Sequence, residues 1–163
     1  MDYLWTPWRY NYVTTADEKT GNCIFCAAAA DREHDRERLV VYRAARNFVI
    51  LNRYPYTSGH LMVVPYEHVD TLTRLPDETL FELIALARRA ETHLRAVYHP
   101  DGLNLGFNLG RSAGAGIAAH LHMHVLPRWA GDTSFITAVS ETRVLPEDLG
   151  VTWERLRAAF LSA

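Results

Sequence analysis

The stretch His-Leu-His-Met-His-Val-Leu, residues 120–126, alternates strictly between histidine and apolar residues. Side chains of a β-strand point to opposite faces in turn, so the alternation predicts a strand with all three histidines on one face. Leu121, Met123 and Val125 are then expected to enter the core from the other face. At a rise of about 3.3 Å per residue, the outer histidines would be about 13 Å apart, too far for all three to bind one metal ion. Each histidine is therefore expected to have its own role.

The residues before this strand favour phosphate chemistry. They read Gly-Arg-Ser-Ala-Gly-Ala-Gly at 110–116, a glycine-rich loop whose backbone amides could cradle a phosphate. A neutral imidazole can attack phosphorus near pH 7. The loop lacks the Gly-Lys-Ser/Thr end of a P-loop, and a plain hairpin connection is the alternative reading of it. The pattern as a whole indicates a histidine nucleophile with neighbours that prepare its site.

The rest of the chain supplies more strands than helices. The predicted strands besides the histidine strand are Leu39–Tyr42, Phe48–Leu51, His60–Val64 and Gly102–Leu109. Apolar residues at spacings of three and four predict a helix from Asp77, as the cap, to about Tyr98. The apolar positions are Leu80, Leu83, Ile84, Ala87, Ala90, Leu94 and Val97. A short C-terminal helix is predicted at Val151–Leu161. We therefore expect an α+β fold with a mainly antiparallel sheet, one long helix and a short C-terminal helix.

Composition narrows the possible classes of protein. The 163 residues are 48% hydrophobic and 22% charged, with a net charge of −2, which argues against long disorder and against a nucleic-acid or membrane-surface binder. No stretch reaches 18 apolar residues, the N-terminus lacks a secretory signal, and two cysteines exclude a disulfide framework. A cytoplasmic location is expected. We expect one domain over residues 1–163, with an aromatic N-terminal arm at 1–22, a core at 23–135 and a C-terminal segment at 136–163. The arm either packs on its own domain or contacts a second copy.

Several motifs together resemble a known family. Residues 120–126 match the signature of the histidine triad (HIT) superfamily at every position. Asn-Arg-Tyr-Pro at 52–55, followed by Gly59 and His60, and Pro-Arg-Trp at 127–129 are similar to the fragile-histidine-triad (Fhit) branch. Residues 4–9 and 104–114 further resemble bacterial diadenosine tetraphosphate phosphorylases of that superfamily. The resemblance implies a HIT-like fold.

The resemblance also implies roles for individual residues. The middle histidine of the family forms a covalent nucleotidyl intermediate, a role that falls on His122. His124 matches the third histidine, which holds the nucleophile and phosphate, and His60 matches an upstream histidine of the same pocket. Asn52 stands where the family binds the ribose hydroxyls. Asn108 stands near the phosphates if the loop carries one inserted residue.

One departure from the family concerns the leaving group. Many members carry Gln and Ser or Thr just before the triad strand, where this chain has Gly116 and Ile117. Ser112 is the hydroxyl that could act instead, and Gly116 remains an expected substrate-binding position. A polyphosphate leaving group tolerates the loss better than an amine does. The departure therefore argues against phosphoramidase activity.

The function implied is cleavage of dinucleoside polyphosphates, such as diadenosine tetraphosphate, by phosphorolysis or hydrolysis. Two alternatives remain: a nucleotide-sensing protein with little turnover, and a nucleotidylyltransferase similar to galactose-1-phosphate uridylyltransferase. No organic cofactor is expected. The resemblance also implies a homodimer through the long helix and an edge strand, and Ala85, Ala87 and Ala90 are predicted to allow close helix approach.

Cys23 and Cys26 form a Cys-x-x-Cys pair, a spacing that lets two thiolates meet one metal ion. Alone the pair is ambiguous, because two buried cysteines unrelated to metal are the alternative, whereas a redox pair would want a βαβ context. Bacterial relatives complete such a site with histidines that match His68 and His120 here, and His34 is the rival fourth ligand. A closed site of two cysteines and two histidines would hold a structural zinc ion.

Overall fold

Five strands form one open antiparallel sheet in the computed structural model, which describes residues 23–132 and 145–162. The strands are β1 (Val40–Arg43), β2 (Asn47–Leu51), β3 (Leu61–Pro65), β4 (Gly102–Phe107) and β5 (Met123–Arg128). Their order across the sheet is β1-β2-β3-β5-β4, so β4 is an edge strand. The predicted N-terminal arm lies outside the described residues.

Three helices accompany the sheet within the described residues: α1 (Ile24–Ala30), α2 (Asp77–Tyr98) and α3 (Leu149–Leu161). Short 3₁₀ turns lie at Leu72–Arg74 and Arg111–Ala113. The α+β class and the antiparallel sheet predicted from the sequence are confirmed. None of the helices in the described part of the chain has the length and apolar character that crossing a bilayer requires.

The sheet buries both of its faces in its central strands, β2 and β3. Leu61 and Val63 pack on one face, in the cluster formed with α2 and α3. Met62 and Val64 pack on the other face, in a smaller cluster with Phe25 of α1. This alternation follows from the period of two along a strand. Because central strands of this kind are apolar on both faces, their sequence reads as a continuous apolar run.

The long helix has the predicted bounds, but two details of the prediction are wrong. Its N-cap is Pro76, with no side-chain cap bond, so Asp77 is not the cap and lies in the first turn. Ile84 is exposed, and Leu86 is buried in its place. Ile84 lies about 100° around the helix from Leu83, which turns it past the edge of the core-facing stripe. The short helix α3 begins at Leu149, two residues before its predicted start, because Asp148 caps it by accepting a bond from Gly150 N–H at 2.7 Å.

The histidine strand starts later than predicted, at Met123, although its facing is as expected. Leu121, Met123 and Val125 all enter the core beside α2. His124 pairs with Met62 in the register of β5 against β3. Directly opposed residues of an antiparallel pair share a face, so His124 lies on the face of the sheet that α1 partly covers. That face carries the candidate site.

Candidate active site and metal centre

Four predicted metal ligands meet at one place in the fold. One ligand atom each from Cys23, Cys26, His68 and His120 lies within 4.8 Å of every other. Cys23 precedes α1 and Cys26 lies one turn into it, so both sulfurs fall on one side of the helix. His68 follows β3 and His120 precedes β5, two neighbouring strands. The fold therefore gathers residues that are up to 97 positions apart.

The distances in this cluster suit a tetrahedral metal ion. His120 Nδ1 lies 3.3 Å from Cys23 Sγ and 3.6 Å from Cys26 Sγ, and His68 Nδ1 lies 3.2 Å from Cys26 Sγ. Zinc bonds of about 2.3 Å to sulfur and about 2.0 Å to nitrogen would separate neighbouring ligands by about 3.5 Å. His120 Nε2 donates to the carbonyl of Pro65 at 2.9 Å. Its proton is therefore on Nε2, and the Nδ1 lone pair faces the cysteines.

The rival ligand His34 has a different role. It is exposed, and its Nδ1 pairs with Asp31 at 2.7 Å. That hydrogen bond raises the pKa of His34, which favours the cation, a form that cannot bind metal. Burial is the main cause that raises the pKa of the Cys26 thiol, and the adjacent Cys23 raises it further. A divalent cation at the cluster would offset both effects, since it favours the thiolates.

The Nδ1 atom of the His122 ring makes a hydrogen bond, which leaves Nε2 as an acceptor. Its Nδ1 lies 2.8 Å from the carbonyl oxygen of His120. A carbonyl only accepts, so Nδ1 carries the proton and Nε2 carries the lone pair. Burial lowers the pKa of His122, and the bond to His120 opposes this only in part. Burial thus favours a neutral His122 ring, and the bond leaves the free lone pair of that ring on Nε2.

His124 and His60 form a hydrogen-bonded pair beside His122. His60 Nε2 and His124 Nδ1 are 2.9 Å apart. The backbone N–H of Tyr56 donates to His60 Nδ1 at 3.2 Å, so His60 carries its proton on Nε2 and donates it to His124. His124 is left with its own proton on Nε2, so the side-chain amide of Asn108, whose nitrogen is placed 3.4 Å from Nε2, must turn its oxygen toward that N–H to accept from it. Burial is the main cause that lowers the pKa of His124 to about 4, and repulsion from a protonated His122 ring is the second.

Gly59 lets His60 reach this position. Its φ is +79°, and a Cβ there would lie 3.1 Å from side-chain atoms of both Leu94 and Tyr98 on α2. Asn52 closes the same loop from its other end: its Oδ1 accepts from Tyr54 N–H at 3.0 Å, and its Nδ2 lies 3.4 Å from His60 Nδ1. The predicted residues Asn52, His60, Asn108, His122 and His124 therefore form one connected group.

A protein-family model for the HIT domain matches residues 33–131. The chain belongs to the HIT domain family. The match covers the five described strands, the long helix and every histidine discussed above, whereas Cys23, Cys26 and Asp31 precede it. Membership confirms the resemblance drawn from the alternating histidines.

Relatives of this HIT chain span most of its length. It is 44% identical over 152 residues to a Mycobacterium tuberculosis protein named AP-4-A phosphorylase, covering 90% of this chain and 78% of the relative. A solved structure of a Zn-bound histidine triad family protein from Mycobacterium smegmatis has 32% identity and a TM-score of 0.69, covering 86% of this chain and 94% of that one. A hypothetical histidine triad nucleotide-binding protein from Sulfolobus tokodaii has 29% identity and a TM-score of 0.68, covering 86% and 93%.

Two expected binding positions of this HIT domain lie in the loop before β5. Ser112 is exposed in the 3₁₀ turn Arg111–Ala113, and Gly116 is half-buried between that turn and His120. Neither belongs to the connected group of histidines and asparagines described above. Their assignment to substrate remains a prediction.

Sequence reasoning missed two residues that contact the histidines. Phe25 packs on the rings of His120 and His122, with centroid distances of 5.4 Å and 5.0 Å. The ring of Tyr56 lies 4.8 Å from that of His60, and its backbone N–H sets the His60 tautomer. The position of Phe25 between the two cysteines was a usable signal, because a metal pair fixes the residues it encloses. No pattern marked Tyr56, since a backbone donor leaves no trace in the sequence.

Proposed function

We propose that this protein cleaves dinucleoside polyphosphates by phosphorolysis, with His122 as the nucleophile. The observation that carries the proposal is the His122 tautomer: Nδ1 is bonded to the His120 carbonyl, so Nε2 keeps its lone pair for attack. The 44% identity to a protein named AP-4-A phosphorylase supports diadenosine tetraphosphate as the substrate and phosphate as the acceptor.

The proposed reaction has two displacements at one phosphorus atom. In the first, His122 Nε2 attacks the α-phosphorus, a P–N bond forms, and the bond to the bridging oxygen breaks to release ATP. The imidazole gains positive charge, which the carbonyl of His120 stabilises through Nδ1–H. In the second, an oxygen of inorganic phosphate attacks the same phosphorus and the P–N bond breaks. The products are ADP and ATP, and His122 returns neutral.

The neighbouring residues have proposed roles that follow from their protons. His124 presents Nε2–H to the α-phosphate, because His60 occupies its Nδ1. A donor fixed in advance stabilises charge that develops on the phosphate oxygens. Asn108, which lies beside His124, contacts the same phosphate, and Asn52 binds the ribose hydroxyls. Ser112 and Gly116 belong to the loop that would close over the remaining phosphates.

We propose that Cys23, Cys26, His68 and His120 hold one structural zinc ion. The donor set, the ligand distances and the His120 tautomer all fit zinc, and the similar Mycobacterium smegmatis protein is Zn-bound. Four protein ligands leave no open coordination position, so the ion supplies stability and takes no part in the chemical steps. Through His120 it also fixes the carbonyl that orients His122.

We further propose a homodimer built on β4 and the outer face of α2. Within the residues that the structure describes, β4 has no strand on its outer side, so its backbone groups there could pair with a second copy, and Phe81 and Ile84 are exposed on α2. The predicted alanine contact needs correction, because Ala87 and Ala90 are buried against the sheet. Of the three alanines, only Ala85 lies on the exposed side of the helix.

The products formed with and without phosphate test this function. Incubation with diadenosine tetraphosphate and phosphate is expected to give ADP and ATP, and His122→Asn is expected to give neither. His99→Asn is the matched control, because His99 is exposed, and its left-handed backbone conformation accepts asparagine. Release of AMP and ATP independent of phosphate would instead establish a hydrolase. Tight binding of the substrate without products would establish a sensor.

A further inference from the structure

Two of the contacts that orient the His122 ring begin at the metal cluster. The first is the hydrogen bond from Nδ1 to the carbonyl oxygen of His120, a cluster residue. The second is Phe25, which stands between Cys23 and Cys26 in the sequence. Its ring centroid lies 5.0 Å from that of His122, with the planes tilted by 45°. The nucleophile is thus in contact with the helix that carries the cysteines.

Phe25 has little freedom of its own. It is 1% exposed, and it packs in the core cluster on the α1 face of the sheet with Phe48, Ile50 and Met62. The same ring lies edge-on to His120, at 5.4 Å and 69°. The Phe25 side chain is therefore held by the core cluster and by its place on α1 next to the cysteines, so its ring has little room to move. The ring of His124 also contacts that of His122, at 4.9 Å and 75°.

We propose that Phe25 is a positioning residue, whose ring holds His122 in its attacking orientation and couples that orientation to the metal cluster. The inference rests on the proposed function, in which His122 Nε2 attacks phosphorus. In-line attack requires the Nε2 lone pair to point at the phosphorus, and a small misplacement of a reacting group costs much of the rate. A metal ion bound by the cysteines would fix α1, and through it Phe25.

The chain offers a matched control for Phe25. Phe48 is fully buried in the same core cluster, but its ring stacks on Tyr66 at 5.3 Å. Phe25→Leu and Phe48→Leu remove the same atoms from the same cluster. A general loss of core packing affects both variants alike. A positioning effect appears only in the Phe25 variant.

The test combines nitrogen NMR spectra of the histidine rings, recorded without substrate, with steady-state kinetics. We expect the wild type and Phe48→Leu to show His122 as a single Nδ1–H tautomer, assigned by its loss in His122→Asn. Phe25→Leu is expected to shift both ring nitrogens toward averaged values and to lower kcat about 3- to 10-fold with KM little changed, as expected for loss of an aromatic pair that acts in the transition state. Similar spectra and kinetics in the two leucine variants would overturn the proposal.

Chelation provides a second measurement that needs no mutation. Removing the metal from the wild-type protein is expected to broaden or shift the His122 signals, and adding Zn²⁺ back is expected to restore them. Unchanged His122 signals on chelation would overturn the coupling. Both spectral measurements are made without substrate, so they do not depend on whether the protein turns a substrate over. Failure of the protein to cleave any dinucleoside polyphosphate would therefore count against the proposed function alone.

Discussion

Replacing His60 isolates the contribution of the hydrogen bond that directs His124. His60 is 1% exposed and donates from Nε2 to His124 Nδ1 at 2.9 Å. In His60→Leu, His124 Nδ1 loses its donor while it remains in a largely buried site. The tautomer of His124 is then free to change, and the form with a lone pair on Nε2 repels the phosphate oxygens it should bind.

The size of the effect follows from the cost of an unpaired buried polar group. That cost is about 1–3 kcal/mol, and if it falls on the transition state it corresponds to a loss of about 5- to 150-fold in kcat. His60→Gln is the matched variant, because its side-chain amide can still donate to His124. We expect His60→Gln to recover a large part of the rate that His60→Leu loses.

The assay is steady-state cleavage of diadenosine tetraphosphate with phosphate present, together with thermal unfolding of each variant. Unfolding separates a loss of rate from a loss of folded protein. A kcat for His60→Leu within twofold of the wild type would refute the reasoning. So would a glutamine variant that is no faster than the leucine variant at equal stability.

Four further predictions concern pH, metal, stability and assembly. Burial lowers the pKa of His122 in the free protein below its ordinary value of 6.5, and the neutral form is the proposed nucleophile. On the acid side kcat/KM should therefore fall only below pH 6.5, and an acid limb of kcat/KM centred above pH 6.5 would contradict this. Elemental analysis should find about one zinc per chain in the wild type and much less in Cys26→Ala. Equal zinc contents in the two proteins would show that Cys26 is not a zinc ligand. Asp148→Ala should lower the free energy of unfolding, measured by denaturant titration, by about 1 kcal/mol, because α3 loses its cap. Asp148→Asn should keep most of the wild-type stability, because asparagine can also cap. An alanine variant as stable as the wild type would show that the bond to Gly150 contributes nothing. Light scattering at micromolar concentration should give the mass of a dimer, and a Phe81→Glu variant should be a monomer; a monomeric wild type rejects the interface.

The elements with strong periodicity could be predicted from the sequence. The helix Asp77–Tyr98 has six turns of apolar spacing, enough to fix both of its ends. The alternation in residues 120–126 correctly placed Leu121, Met123 and Val125 in the core. The start of that strand could not be predicted, because the pairing partner on β3 decides where the ladder begins.

The elements and contacts that depend on residues far apart in the sequence could not be predicted from local sequence patterns. Helix α1 has only seven residues, below the length at which spacing distinguishes a helix from a loop. The metal cluster needed the family resemblance, because His68 and His120 lie 42 and 94 positions from Cys26. The contact of Phe25 with His122 arises only when α1 docks on the sheet.

The stereochemical course at phosphorus tests the central claim most directly, since a histidine intermediate requires two displacements. The substrate is diadenosine tetraphosphate with one diastereomer of sulfur at each α-phosphorus, and the thio-substituted ADP released with phosphate is analysed by phosphorus NMR. Each in-line displacement inverts the configuration, so attack by His122 followed by attack by phosphate predicts overall retention. Overall inversion would mean that phosphate attacks the substrate directly, and it would contradict the assignment of His122 as the nucleophile.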